Sequence, residues 1–179
     1  AALERAKITV HIIYNEGEIL AKWPLKPKAK RQAFIPSDHE LARLLRASLP
    51  ENLRRWLLNS MATGGRPEAV LDLSPASRRK DAPLIDLNPP GRTQNKKYRA
   101  TVRVLPVQHR WLDKWEKKGL ALHAHRYCGY ASVDSVDTAL WRACAKQGVD
   151  LPKMSVYSIR HKVATVLRLA KVPSEQVSY

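Results

Sequence analysis

The chain has 179 residues with 44% apolar, enough for one domain with a proper core and part of a second, which excludes overall disorder. Lys and Arg number 32 against 16 Asp and Glu, a formal charge of +16, far beyond what solubility requires, so a polyanion is the expected partner. Basic segments interleaved with five Trp and six Tyr suit nucleic acid. An anionic membrane surface is the competing reading, and it is not the expected one, because the sequence shows no apolar run near twenty residues, no amphipathic helix with a uniformly basic polar face and no signal peptide.

In chain order, Ala1 to Glu16 places Leu3, Ala6, Val10, Ile13 and Tyr14 at the three-and-four spacing of a helix face, with Gly17 as its stop. Trp23 to Arg31, WPLKPKAKR, mixes two prolines with Lys26, Lys28, Lys30 and Arg31 and reads as an extended linker, or as a basic strap along a nucleic-acid backbone. The boundary places residues 1–31 in a preceding unit and 32–179 in the main domain. That domain opens at Ser37-Asp38-His39-Glu40, a capping box, with Leu41, Leu44 and Leu45 on the buried face. A second helix begins at Pro50-Glu51, turns Leu53, Leu57, Leu58 and Met61 inward and ends at Gly64-Gly65.

After Pro75 the pattern becomes strand-like. Leu84 to Leu87 is a short apolar run, and Tyr98, Ala100, Val102 and Val104 alternate with Arg99, Thr101 and Arg103, the period of a half-buried strand. Arg92 to Lys97, RTQNKK, forms the basic tip of the hairpin between them. Pro106 begins a helix with Trp111 and Trp115 on one face and Gly119 as its stop. Leu120 to Ser132 shows no clear period. Val136, Leu140, Ala143 and Cys144 line another helix ending at Gly148, and Ile159, Val163, Val166, Leu167 and Ala170 form a buried stripe over Ser155 to Ala170. A further helix starts at Pro173-Ser174-Glu175 and is cut at Tyr179 after one turn, so the fold is expected to be incomplete at this end. These elements make an α+β fold, mainly helical, with a small antiparallel sheet of two or three strands packed on helices.

Two stretches carry candidate chemistry. In MATGGRPEAVLDL, two glycines let the backbone turn sharply, and Pro67 starts a new helical turn, so Arg66 sits on a stiff corner. It either clamps a phosphate through two parallel hydrogen bonds or pairs with Glu68 or Asp72. In SVYSIRHKVATVLRLA, Tyr157 and Arg160 are three apart at a helix start, where the exposed N–H groups favour an anion. Their plainer readings are packing for Tyr157, a carboxylate partner for Arg160 and ordinary surface for His161. Cys128 and Cys144 are too few for a disulfide scaffold, fit a reducing cytoplasm and are expected to be unreactive. With His123 and His125 they do not match a familiar zinc-finger spacing, so no metal and no cofactor are expected.

Taken together, these stretches resemble the catalytic domain of tyrosine recombinases of the phage integrase family, a DNA breaking and rejoining enzyme. TGGRPEAVLDL looks like the family's first box, with Arg66 as its first arginine. YSIRHKVAT looks like the second, with Arg160 as the second arginine and Tyr157 where the family usually has histidine. RQAFIPSDHELARLLRA is similar to the opening of the domain, and residues 1–20 would match the last helix of a core-binding domain. The resemblance implies metal-free cleavage and rejoining of double-stranded DNA through a 3′-phosphotyrosine. Arg66, Lys96, Tyr157 and Arg160 would be the catalytic set, with Lys97 the second choice for the hairpin lysine. Arg92, Lys97, Arg99, His161 and Lys162 would bind nucleic acid. The nucleophile would lie beyond Tyr179, leaving this chain inactive alone. The family works as homotetramers on DNA, this piece is as readily a monomer, and the location implied is the cytoplasm, at the nucleoid. The alternative is an inactive architectural or regulatory DNA-binding module.

Overall fold

The computed structural model describes residues 34–79, 81–94, 98–119, 125–146 and 154–172. The helix expected over residues 1–16, the linker over 23–31, Lys96, Lys97, His123 and the helix expected from Pro173 lie outside them.

Helix α1 (Asp38–Arg46) starts as its sequence requires. Ser37 Oγ accepts from the Glu40 N–H, and Glu40 Oε2 accepts from the Ser37 N–H at 2.6 Å, which satisfies donors that a helix start leaves open. Its other end is closed from outside. Arg54 of helix α2 (Glu51–Thr63) donates to the carbonyls of Leu45 and Ala47 at 3.2 and 3.0 Å, joining the two helices where carbonyls lack partners. Leu41 and Leu44 are buried beneath this junction.

α2 is the central pillar. Leu53, Trp56 and Leu57 are fully buried with Ser60 on the same face, and Arg55 and Asn59 are buried beside it, so the helix is enclosed more widely than its leucine spacing alone indicates. Each large apolar side chain sealed here contributes roughly 1.5–3 kcal/mol. Helix α3 (Pro67–Leu71) follows after a three-residue corner, with Ala69, Val70 and Leu71 buried, and a single 3₁₀ turn (Pro75–Ser77) leads to the sheet.

Strands β1 (Leu84–Asp86) and β2 (Thr101–Arg103) pair antiparallel, with Ile85 opposite Val102. The Leu87 N–H donates to the Ala100 carbonyl at 3.0 Å, and the Val104 N–H to the Pro83 carbonyl at 2.8 Å, so the pairing continues past both ends of the ladder. An isolated bridge from Arg78 to Ile85 adds a third segment at the edge. Ala100 and Val104 are buried as alternation predicts. Tyr98, expected on the same inward face, is 54% exposed because the ladder has ended before it.

Helix α4 (Pro106–Lys117) buries Leu112 and Trp115, and helix α5 (Val133–Lys146) buries Val136, Leu140, Ala143 and Cys144 as its spacing predicts. The aperiodic segment before α5 supplies two core residues, Tyr127 and Cys128, both fully buried. The Tyr127 N–H donates to the Leu73 carbonyl at 2.9 Å and its ring lies tilted against Trp115 with centroids 6.1 Å apart.

Helix α6 (Val156–Leu169) packs on α2, α3 and α5. Val156 and Ile159 are buried, but the expected stripe is not sealed along its length. Val163 and Leu167 are half-buried, while Val166 and Ala170 are exposed and neighbouring Leu169 is 79% exposed. Among the described residues, the elements packed on α6 seal only its first turn. The domain is therefore mainly helical with a two-stranded antiparallel sheet.

Candidate active site

The corner between α2 and α3 is built for rigidity. Gly64 ends α2 in the left-handed region, φ 59°, which favours a residue without a Cβ. A Cβ there would also lie 3.0 Å from Val163 Cγ1, so α6 packs directly on the turn. At Gly65 a Cβ would meet Thr63, Val70 and Leu87 at 3.2–3.3 Å. Thr63 Oγ1 donates to the Asn59 carbonyl and accepts from the Gly65 N–H, which ties the corner down from within. Arg66 is the N-cap of α3, extended at φ −63° and ψ 146°, with Pro67 next in the first helical position.

Arg160 reaches this corner from the first turns of α6. Its Nη1 donates to the Gly64 carbonyl at 2.6 Å, one of the carbonyls a helix end leaves without an intrahelical partner. Gly65, Arg66, Ala69, Leu87, Tyr98, Arg99, Ala100 and Arg160 line one narrow cleft. Residues 94 positions apart in sequence thus meet.

The electrostatics of the cleft are unusual for a protein interior. Burial, and then the neighbouring Arg66 charge, hold the Arg160 guanidinium below its ordinary proton affinity, with Tyr157 and Glu68 acting the other way. The Arg160 guanidinium nevertheless stays charged, because its ordinary proton affinity is so high. Arg66 Nη1 is buried and has no hydrogen-bond partner among the described residues. Neither carboxylate suggested by the sequence pairs with it. Asp72 instead holds Arg99 at 2.8 Å and Arg126 at 2.9 Å, and Glu68 Oε1 accepts from the Tyr157 hydroxyl at 3.0 Å. Burial, and then Glu68, push the Tyr157 phenol above its ordinary pKa, so it is a neutral donor near pH 7.

The remaining sequence candidates divide. Arg99 lines the cleft but is largely buried in its ion pair with Asp72, so one of its roles is internal. Arg92 donates to Asn88 Oδ1 at 2.7 Å at the base of the hairpin. His161 is exposed beside Arg160, and Lys162 pairs with Asp38 at 2.9 Å. Lys96 and Lys97 are outside the described residues. The contacts of Glu68 with Tyr157 and of Arg160 with the Gly64 carbonyl were not legible in sequence. Glu68 was visible as a carboxylate near Arg66, but its partner lies 89 residues away.

Both cysteines are buried, and burial pushes the Cys128 thiol up to about 12, which keeps it protonated and unreactive. Among the described residues no three His, Cys, Asp or Glu side chains gather as a metal site. No described helix is long and apolar enough to cross a membrane.

Scans against protein-family models and against curated proteins give no match. Solved structures do. The chain is similar to the XerA recombinase at a TM-score of 0.59 and 14% identity, over 82% of this chain and 55% of that one. It is also similar to the XerH site-specific recombinase bound to difH substrate in a pre-cleavage complex, at a TM-score of 0.59 and 15% identity, over 87% of this chain and 49% of that one. The chain thus spans about half the length of these recombinases and shares the fold of a tyrosine recombinase catalytic domain.

Proposed function

We propose that this chain carries the phosphate-binding part of a site-specific DNA recombinase active site, with Arg66 and Arg160 as a clamp on the scissile phosphate. The observation that carries the reading is the pairing of two guanidiniums in one cleft, with Arg66 Nη1 buried and lacking an acceptor. A buried charged donor left unpaired is costly, and an anion bridging both arginines removes that cost and their mutual repulsion. The neighbour held in a pre-cleavage complex with its DNA substrate has the same fold, which supports duplex DNA as the source of the anion.

In this reading the clamp stabilises charge accumulating on the non-bridging oxygens as the phosphodiester breaks. Tyr157 donates a third hydrogen bond once its proton turns from Glu68 to the phosphate. A hairpin lysine, Lys96 or failing that Lys97, protonates the departing 5′ oxygen. The attacking tyrosine that the family resemblance implies displaces that oxygen at phosphorus and leaves a 3′-phosphotyrosine link, reversed when a new 5′ hydroxyl attacks. In the recombinase that supplies the attacking tyrosine, Arg66→Ala and Arg160→Ala should each lower covalent adduct formation on a nicked suicide duplex by roughly 10²–10³. Unchanged adduct yield contradicts the clamp.

The hydrogen bond from Tyr157 to Glu68 favours a second reading, a DNA-binding module without catalysis, because the phenol is already committed to a carboxylate. That version predicts DNA binding with no adduct in the same assay.

A further inference from the structure

Helix α4 presents a charge pattern that the cleft does not use. Arg110, Lys114, Lys117 and Lys118 are all exposed, and their spacing of four, seven and eight residues aligns them along one face. At 1.5 Å per residue the stripe is about 12 Å long. The helix has two carboxylates, and both are taken elsewhere. Asp113 and Glu116 each accept from Arg78 Nη1 at 2.8 Å, and Glu116 also accepts from the Tyr127 hydroxyl at 2.6 Å. Arg78, brought in from the segment before β1, offsets part of their charge, so the exposed stripe stays strongly positive. None of its four residues lines the cleft at Arg66 and Arg160.

The helix dipole explains cations in the last turn, where Lys114 and Lys117 lie, but not Arg110 nearer the start. We infer that the exposed basic face of α4 is a second docking surface for duplex DNA, gripping the phosphate backbone at a place separate from the cleft. Two features select DNA over other polyanions. The large apolar side chains Leu112 and Trp115 of α4 are buried in the core, and Leu105 and Val107 at its start are too small an apolar patch to seat a helix in lipid. The stripe carries exposed charge along its length, with the small side chain of Val107 one turn before Arg110 and no exposed aromatic anchor at its centre, whereas a phosphate backbone is held by charge alone. The inference goes beyond the cleavage reading and survives its failure, since it needs binding but no chemistry.

The test is salt-dependent binding of the full chain to a 20-base-pair duplex, comparing the unaltered protein with Arg110→Gln/Lys114→Gln/Lys117→Gln/Lys118→Gln. Glutamine keeps the helix, and a matching thermal melt confirms folding. At about 0.9 per neutralised phosphate, the slope of log affinity on log salt should fall by about three to four. Between 50 and 200 mM salt, that means roughly a hundredfold smaller drop in affinity than in the unaltered protein. The same decrement should appear in an Arg66→Ala/Arg160→Ala background, which separates this face from the cleft. An unchanged slope overturns the inference, and so does a variant that keeps its DNA binding but loses binding to vesicles of anionic lipid or to a polyglutamate peptide.

Discussion

Two arginine centres in this domain are built on opposite plans. Arg78 is saturated. It donates to Asp113 and Glu116 and meets His109 Nδ1 at 3.1 Å, and although burial opposes its charge, the hydrogen bonds to Glu116 and Asp113 outweigh that and raise its proton affinity. At the cleft, burial and a neighbouring cation lower the proton affinity of Arg160, the nearby carboxylate Glu68 is given to a phenol, and Arg66 keeps a buried N–H without an acceptor. At Arg78 the cation that ties elements together is met by carboxylates from the protein itself. At the cleft, Arg160 donates to the Gly64 carbonyl and shares the space with Arg66.

The contrast breaks first at Arg78. Replacing it with Met leaves two carboxylates and the Tyr127 hydroxyl around a missing cation, and should cost about 2–3 kcal/mol in urea unfolding. DNA binding at the cleft should be unaffected below the transition. A destabilisation under about 0.5 kcal/mol would mean that the centre is a surface ornament.

Alkaline titration separates the centres next. Burial, and then Glu116, push the Tyr127 phenol well above its ordinary range. An acid whose folded pKa is raised keeps its proton while the unfolded chain releases it, so stability is intact below the unfolded value of about 10 and falls as pH rises past it. The Cys128 thiol, raised by burial to about 12, adds a decline of the same sign that starts near its unfolded value of about 8.5. Tyr127→Phe should flatten the part of the decline above about pH 10, as read by thermal melts across pH 8 to 11. A slope that does not change contradicts the burial of that proton.

The smallest effect should come from Glu68→Gln. Its charge reaches both Tyr157 and Arg160, so removing it makes the cleft more positive and should tighten duplex binding by about two- to fivefold. Weaker binding would show that Glu68 positions the clamp rather than tempering it.

How far the sequence carried these conclusions differs by element. Ser37 and Glu40, the α5 stripe and the Gly64-Gly65 corner were legible because each is decided within a turn or two of chain. Tyr127 and Cys128 were not, since they lie in an aperiodic segment, where Tyr127 is held by the Leu73 carbonyl and the Glu116 carboxylate of other parts of the chain. The exposure of the last turns of α6 is not legible in sequence, because periodicity records which residues share a face and says nothing of whether another element covers it. The two cleft arginines were legible as residues. Their meeting through the Gly64 carbonyl, and the diversion of Glu68 to Tyr157, depend on tertiary contacts spanning about ninety residues.

The clamp itself is tested most directly by duplex binding to the full chain with and without Arg66→Ala/Arg160→Ala. If both guanidiniums hold the one scissile phosphate, affinity at low salt drops and the slope of log affinity on log salt falls by about one, near 0.9 for the single phosphate no longer neutralised. An unchanged affinity and slope, in protein that melts normally, would mean that the cleft does not hold DNA.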